Sequence, residues 1–180
     1  MAKKKKNNTD LLVALVVTVL AVVAVCTLFM PVIKTSSNIT DSNSVIKGID
    51  VVSATFKGEI DTDTTWGATR LIALKNAEDT SFITTVFCWT YLITIIASAA
   101  IVVLNLLSLI GIRFKMLSTL AGFATVLVGI IALVLAFIVS SKLSNGSILG
   151  LSIKTVVSIG GYLLLTGVVA GGTVVYFNRA

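Results

Sequence analysis

Residues 1–26 read MAKKKKNNTDLLVALVVTVLAVVAVC: four consecutive lysines, a short polar spacer, then an apolar run. A secretory leader has an apolar core of about 7–15 residues followed by a cleavage site of small residues. Here the run that starts at Leu11 continues through Ile33, 23 residues without an Asp, Glu, Lys or Arg, and Cys26 lies inside it. Val23-Ala24-Val25-Cys26 comes near the bacterial lipoprotein pattern. That pattern needs a small residue where Val25 stands and a polar tether where Thr27-Leu28-Phe29-Met30 stays apolar. The stretch reads as a membrane anchor that is kept.

Three further stretches have the same character: residues 83–112, 116–141 and 155–177 contain no ionised side chain. A spanning helix needs about 20 largely apolar residues, and a helix satisfies its own backbone groups in lipid. Of 180 residues 56% are hydrophobic, and 22 carry charge. A soluble domain of this length would have about 25% charged residues, twice what is present. The expected fold is an all-α membrane protein, an antiparallel left-handed bundle of four transmembrane helices with a small extracellular β-containing segment between helices 1 and 2. Its layout is a basic N-terminus (1–10), helix 1 (11–33), an outer segment (34–82), helix 2 (83–112), a link (113–115), helix 3 (116–141), an outer loop (142–154), helix 4 (155–177) and a tail (178–180).

Charge sets the expected orientation. Lys3, Lys4, Lys5, Lys6, Arg113, Lys115 and Arg179 face only Asp10, which places the whole net charge of +6 on one side. The seven cations of residues 34–82 and 142–154 are balanced by seven acids. Short segments dense in Lys and Arg stay cytoplasmic, so both termini are expected inside, in a multi-pass protein of the plasma membrane. The lysine cluster suits anionic headgroups. Four lysines without aromatic or Arg partners make a poor nucleic-acid surface, so nucleic acid is not an expected partner.

Helices associate in lipid through small residues. Ser118, Gly122, Thr125, Gly129, Ala132, Ala136 and Ser140 recur at steps of three and four, close to the 3.5-residue seam of left-handed crossings. Gly160, Gly167 and Gly171 share a face of helix 4. Gly122, Gly129, Gly160, Gly167 and Gly171 are therefore the candidate packing contacts, either within one bundle or, through Gly167 and Gly171, between two copies. Asn105, the strongly polar side chain in a span, is expected to hydrogen-bond a neighbouring helix. Cys26 and Cys88 have similar depth and are read as free thiols, with a disulfide as the alternative.

Residues 34–82 form the sizeable aqueous region, where recognition is expected. KTSSNITDSNS is turn-rich, and SVIKGIDVVSATFKG, rich in β-branched residues, reads as strand with a bend at Gly48. WGATRLIALKNAEDT reads as a short helix, and Trp66, Phe56 and Arg70 are the candidate recognition residues. Glu59, Asp61 and Asp63 lack the ligand order of a calcium loop and read as a solvated acidic loop, so no metal or cofactor is expected. Trp89 and Tyr91 suit an outer aromatic belt, and Tyr176 and Phe177 an inner one. Asn38-Ile39-Thr40 and Asn145-Gly146-Ser147 are glycosylation sequons.

The layout resembles the claudin-type tetraspan group: an inner N-terminus, a first outer segment of about 50 residues with β character and a Trp, a tiny inner link, a short second outer loop and an inner C-terminus. Phe29-Met30-Pro31 resembles the exit from the first span in such proteins, and Trp66-Gly67 faintly echoes their outer Trp signature. The family's outer Cys pair has no counterpart. The resemblance implies adhesion or barrier formation through the outer segment. With no His in the chain and no acid in a span, the expectation is a non-enzymatic structural or interaction protein whose partners are the bilayer and another membrane protein or a second copy. The alternative is a channel or transporter, or an accessory subunit of one.

Overall fold

The computed structural model describes residues 8–37, 44–112, 114–144 and 153–179. Lys3–Lys6, Arg113 and both outer sequons lie outside the described residues. Six α-helices and three strands follow in the order α1 (Asn8–Cys26), β1 (Pro31–Ser37), β2 (Ser44–Lys47), α2 (Gly48–Phe56), α3 (Trp66–Asn76), α4 (Ser81–Ile110), α5 (Lys115–Ser144), β3 (Ile153–Val157) and α6 (Ile159–Arg179). Among the described residues four helical stretches are long and apolar enough to cross a membrane: Leu11–Phe29, Ser81–Ile110, Lys115–Ser144 and Ile159–Asn178. The chain is a multi-pass membrane protein by the length and composition of these helices.

The four long helices form a ring in which α1 packs on α4 and α6, and α5 packs on the same two. Each neighbour runs antiparallel to the next. The α4–α5 connection is tight because Gly111 adopts φ 102°, which an L side chain resists. The N–H of Ile112 then closes onto the carbonyl of Leu107 at 3.0 Å. At the opposite end, β1 leaves α1 and pairs with β3, which leads into α6, so the first and last long helices are tied by main-chain bonds.

The sheet has the order β2-β1-β3, antiparallel throughout. Ile46, Ile33 and Val157 stand in one cross-strand row, and all three are buried. They join Val51, Ala54, Leu71 and Ile72 from α2 and α3, Phe87, Cys88 and Tyr91 from α4, Val139 from α5 and Leu164 from α6 in one core. The small elements thus form a cap on one end of the ring, called here the sheet end, with the α4–α5 turn at the link end. A segment this short cannot bury a core alone, and the ends of α4, α5 and α6 complete it.

Three stretches change type from the sequence reading, helix to strand or strand to helix. Residues 31–33, assigned to the first span, begin strand β1. Pro31 lacks an N–H, and the residue before a proline is pushed out of the helical region; Met30 accordingly adopts φ −94°, ψ 153° after a 3-10 turn at Thr27–Phe29. Residues 155–157, assigned to the fourth span, belong to β3. The stretch Gly48–Phe56, read as strand, is helix α2. Its β-branched residues give a strand-like composition, but besides Asp50 the buried positions are Gly48, Val51, Ala54 and Thr55, a spacing of three and four that only a helix presents on one face.

Candidate functional site

The cap is the part of the molecule with polar chemistry held in fixed geometry. Its centre is Asp50, 5% exposed in the first turn of α2. One carboxylate oxygen accepts the backbone N–H of Lys47 at 2.8 Å, satisfying a donor that helix geometry leaves open. The other accepts the hydroxyl of Thr65 at 2.6 Å. Thr65 is itself the N-cap of α3, where its oxygen faces the N–H of Ala68 at 3.4 Å. One side chain therefore starts α2 and fixes the start of α3 beside it. Gly67 lies directly against the Asp50 carboxylate, and a Cβ there would collide with it.

Lys75, in the last turn of α3, closes the other end. Its ammonium donates to the carbonyls of Ala54 at 3.1 Å, Thr55 at 3.3 Å and Lys57 at 3.4 Å. Those are carbonyls at and just past the C-terminus of α2, where a cation is favoured by the helix dipole. The Asn76 amide reaches the carbonyl of Gly58 at 3.2 Å. The cap is fastened to the ring by Tyr91, whose hydroxyl lies 3.1 Å from that of Thr27. Thr27 donates to the carbonyl of Ala24 at 2.6 Å, which leaves its oxygen to accept from Tyr91. Gly48 sits in this corner: a Cβ would come within 2.5 Å of the Thr27 carbonyl and 2.6 Å of the Leu28 Cα.

The three recognition residues singled out from the sequence all sit on this cap: Arg70 and Trp66 meet, and Phe56 lies apart from them. The Arg70 guanidinium lies over the Trp66 ring, 5.4 Å from its centroid. Trp66 is 43% exposed. Phe56 is 69% exposed and meets the edge of Trp89 at 5.9 Å between centroids. Lys57 pairs with Asp61 at 3.5 Å. The described residues contain no group of three His, Cys, Asp or Glu side chains placed to share a metal ion.

The packing residues lie elsewhere. Gly122 and Gly171 bring α5 and α6 together backbone to backbone, since a Cβ on either would stand 2.8 or 2.7 Å from the other's carbonyl oxygen. Gly129 abuts Val168 and Thr94, and Gly167 abuts Ala24, Ser98 and Thr125. These glycines are turned into their own ring. Gly160 is at the sheet end, where a Cβ would come within 2.6 Å of the Pro31 carbonyl. Asn105 continues the face of Ile101, which packs with Val17, Ala21, Ala170 and Val174; its amide nitrogen is enclosed and has no partner among the described residues. Cys26 is exposed, Cys88 is buried, and both are free thiols.

Asp50, Thr65 and Lys75 were not singled out as site residues in the sequence; Gly48, read as a bend in a strand, starts helix α2, and Tyr91, read as part of an outer aromatic belt, is fully buried because its hydroxyl bonds Thr27 inside the ring. Asp50 had a local signal, an acid at the third helical position after an N-cap, hidden by reading its segment as strand. Lys75 had none, because its acceptors lie about 20 residues upstream. Set against known protein families, characterised proteins and solved structures, the chain has no significant match in any of the three.

Proposed function

We propose that this protein is a non-enzymatic structural and interaction protein of the cell membrane, of claudin-like type, with both termini cytoplasmic and the cap outside. The observation that carries the reading is the clasped cap. Asp50, Thr65 and Lys75 hold α2 and α3 in one arrangement, so Trp66 and Arg70 are presented outward at fixed positions. A stacked Trp–Arg pair is the kind of group that anchors a protein interface. The ring beneath supports a scaffold rather than a conduit, because glycine-to-backbone approaches fill the space between α5 and α6. The seam of small residues on α5 fits left-handed crossings.

Purification from native membranes in mild detergent tests this reading. A stoichiometric membrane-protein partner or a second copy should co-purify. Trp66→Ala with Arg70→Glu should release it while the thermal transition of the chain is retained. Ion flux through the isolated chain in liposomes would sink the scaffold reading in favour of a channel.

A further inference from the structure

Helix α2 crosses the ring instead of standing on top of it. Its first residue, Gly48, abuts the Tyr91 hydroxyl, the Thr27 carbonyl and the Leu28 Cα, while Phe56 at its last turn meets Trp89. Tyr91 and Trp89 are two residues apart on α4, about 3 Å in height. The nine residues of α2 span about 13 Å. A helix whose two ends touch α4 at nearly one height lies across α4, and so across the axis of the bundle. That height is eight to ten residues from the start of α4, about 12–15 Å inside its sheet end.

The level is also marked by aromatic side chains around the ring. Phe29 ends the 3-10 turn after α1 and is exposed. Trp89 on α4 is half-exposed, and Phe137 on α5 meets Tyr162 on α6 edge-on at 5.8 Å. Aromatic rings collect where the hydrocarbon meets the headgroups. Below Trp89 the same face of α4 continues with exposed Ile93 and Ile96. The α2 face turned away from the cap carries Ile49, 47% exposed, half-buried Ser53, and Phe56, with Val52 at its edge packing partly on the core. Its other face, with Gly48, Val51, Ala54 and Thr55, is buried in the cap. The outward face is therefore continuous, through Phe56 and Trp89, with the lipid-facing side of α4.

We propose that α2 is an in-plane interfacial helix, with Ile49 and Phe56 seated at the headgroup–acyl boundary of the bilayer, so that lipid rather than a protein partner covers this part of the cap. This assigns Phe56 to the membrane and leaves Trp66 and Arg70 to recognition. In-plane helices of this kind bury their apolar side about 5–10 Å into the boundary. The inference rests on the reading of the four long helices as membrane spans, and its test keeps the two separable.

Three single-tryptophan chains are made in a Trp66→Phe, Trp89→Phe background: Phe56→Trp, Ile96→Trp on the mid-span face of α4, and Glu78→Trp in the exposed turn before α4. The first simply exchanges the rings of an existing pair. Each is reconstituted in phosphatidylcholine vesicles brominated near the ester end or near the chain middle, and each is also titrated with aqueous iodide. The Phe56→Trp chain should lose roughly half its emission to shallow bromines and little to iodide, as boundary depth requires. Ile96→Trp should respond to the deeper bromines, and Glu78→Trp to iodide alone. Iodide quenching of Phe56→Trp with Ile96→Trp still quenched by lipid overturns the interfacial assignment and leaves the spans intact. Failure of Ile96→Trp to sense lipid overturns the span reading itself. Protection of Phe56→Trp from both quenchers means that protein covers the face, which also overturns the proposal. Should the exchanged pair misfold, native Trp89 in a Trp66→Phe chain gives the same readout, with shallow bromines expected to quench it and iodide quenching counting against the assignment.

Discussion

At the scale of single residues, the cap depends on Asp50 more than on any exposed side chain. Its two oxygens satisfy a main-chain donor and the Thr65 hydroxyl, and loss of a helix-capping side chain costs about 0.5–2 kcal/mol. Asp50→Ala should therefore lower the thermal midpoint in detergent, and Thr65→Ala should lower it less. The double variant should fall short of the sum, because the two share one hydrogen bond; contacting pairs show coupling of about 0.5–3 kcal/mol. Additive losses would mean that the clasp contributes nothing as a pair. The exposed residues were easier to pick out from sequence than the buried ones. Trp66 and Arg70 stand out as an aromatic and a cation in a polar segment. Asp50 looks like one more acid among seven until its helix is drawn.

At the scale of elements, the long helices were legible and the short ones only in part. Residues 83–112 and 116–141 are uncharged over lengths no small soluble core requires, and α4 and α5 cover them closely. Helix α3 was legible from its apolar residues Trp66, Leu71, Ile72 and Leu74 in a stretch without a β-branched run. Helix α2 was not, because the β-branched residues of its IDVVSAT run favour strand in isolation and only burial against α3 and α4 decides otherwise. Strand β3 was missed for a related reason: its Thr-Val-Val run is as apolar as the helix that follows, and pairing with β1 across the chain is invisible locally. The glycine seam makes the sharpest element-level prediction. Gly171→Ala would drive a methyl to 2.7 Å from the Gly122 carbonyl, a backbone atom that cannot swing aside, whereas Gly172→Ala meets only the Val126 Cγ2 at 3.9 Å. Overpacking costs about 1–3 kcal/mol, so Gly171→Ala should clearly destabilise the bundle. Its neighbour should be neutral or gain up to about 1 kcal/mol from helix propensity. Equal effects in thermal denaturation would remove the close α5–α6 approach from the account.

At the scale of the whole molecule, the number of spans could be counted from charge-free blocks. The ring order could not, since it depends on which small faces meet. The proposed orientation rests on seven cations gathered in three short segments, four of them in Lys3–Lys6. Replacing these four with Glu should give a mixed population in which a reporter on the N-terminus appears on both sides of the membrane. The unmodified chain should show it inside only. A reporter found outside in the unmodified chain would reverse the placement of the cap.

The central strand of the sheet has a further consequence for how the protein is made. Strand β1 ends at Ser37, and β3, which occupies one of its edges, begins at Ile153. At about 5–20 residues per second, a ribosome takes about 6–23 s to supply the missing partner. Throughout that interval the edge of β1 is unpaired and α1 lacks its neighbour α6. A nascent chain stalled before residue 153 carries both exposed features, an open strand edge and an uncovered helix flank. Closure of the ring therefore has to wait for β3 and α6, which pair with the first strand and the first long helix.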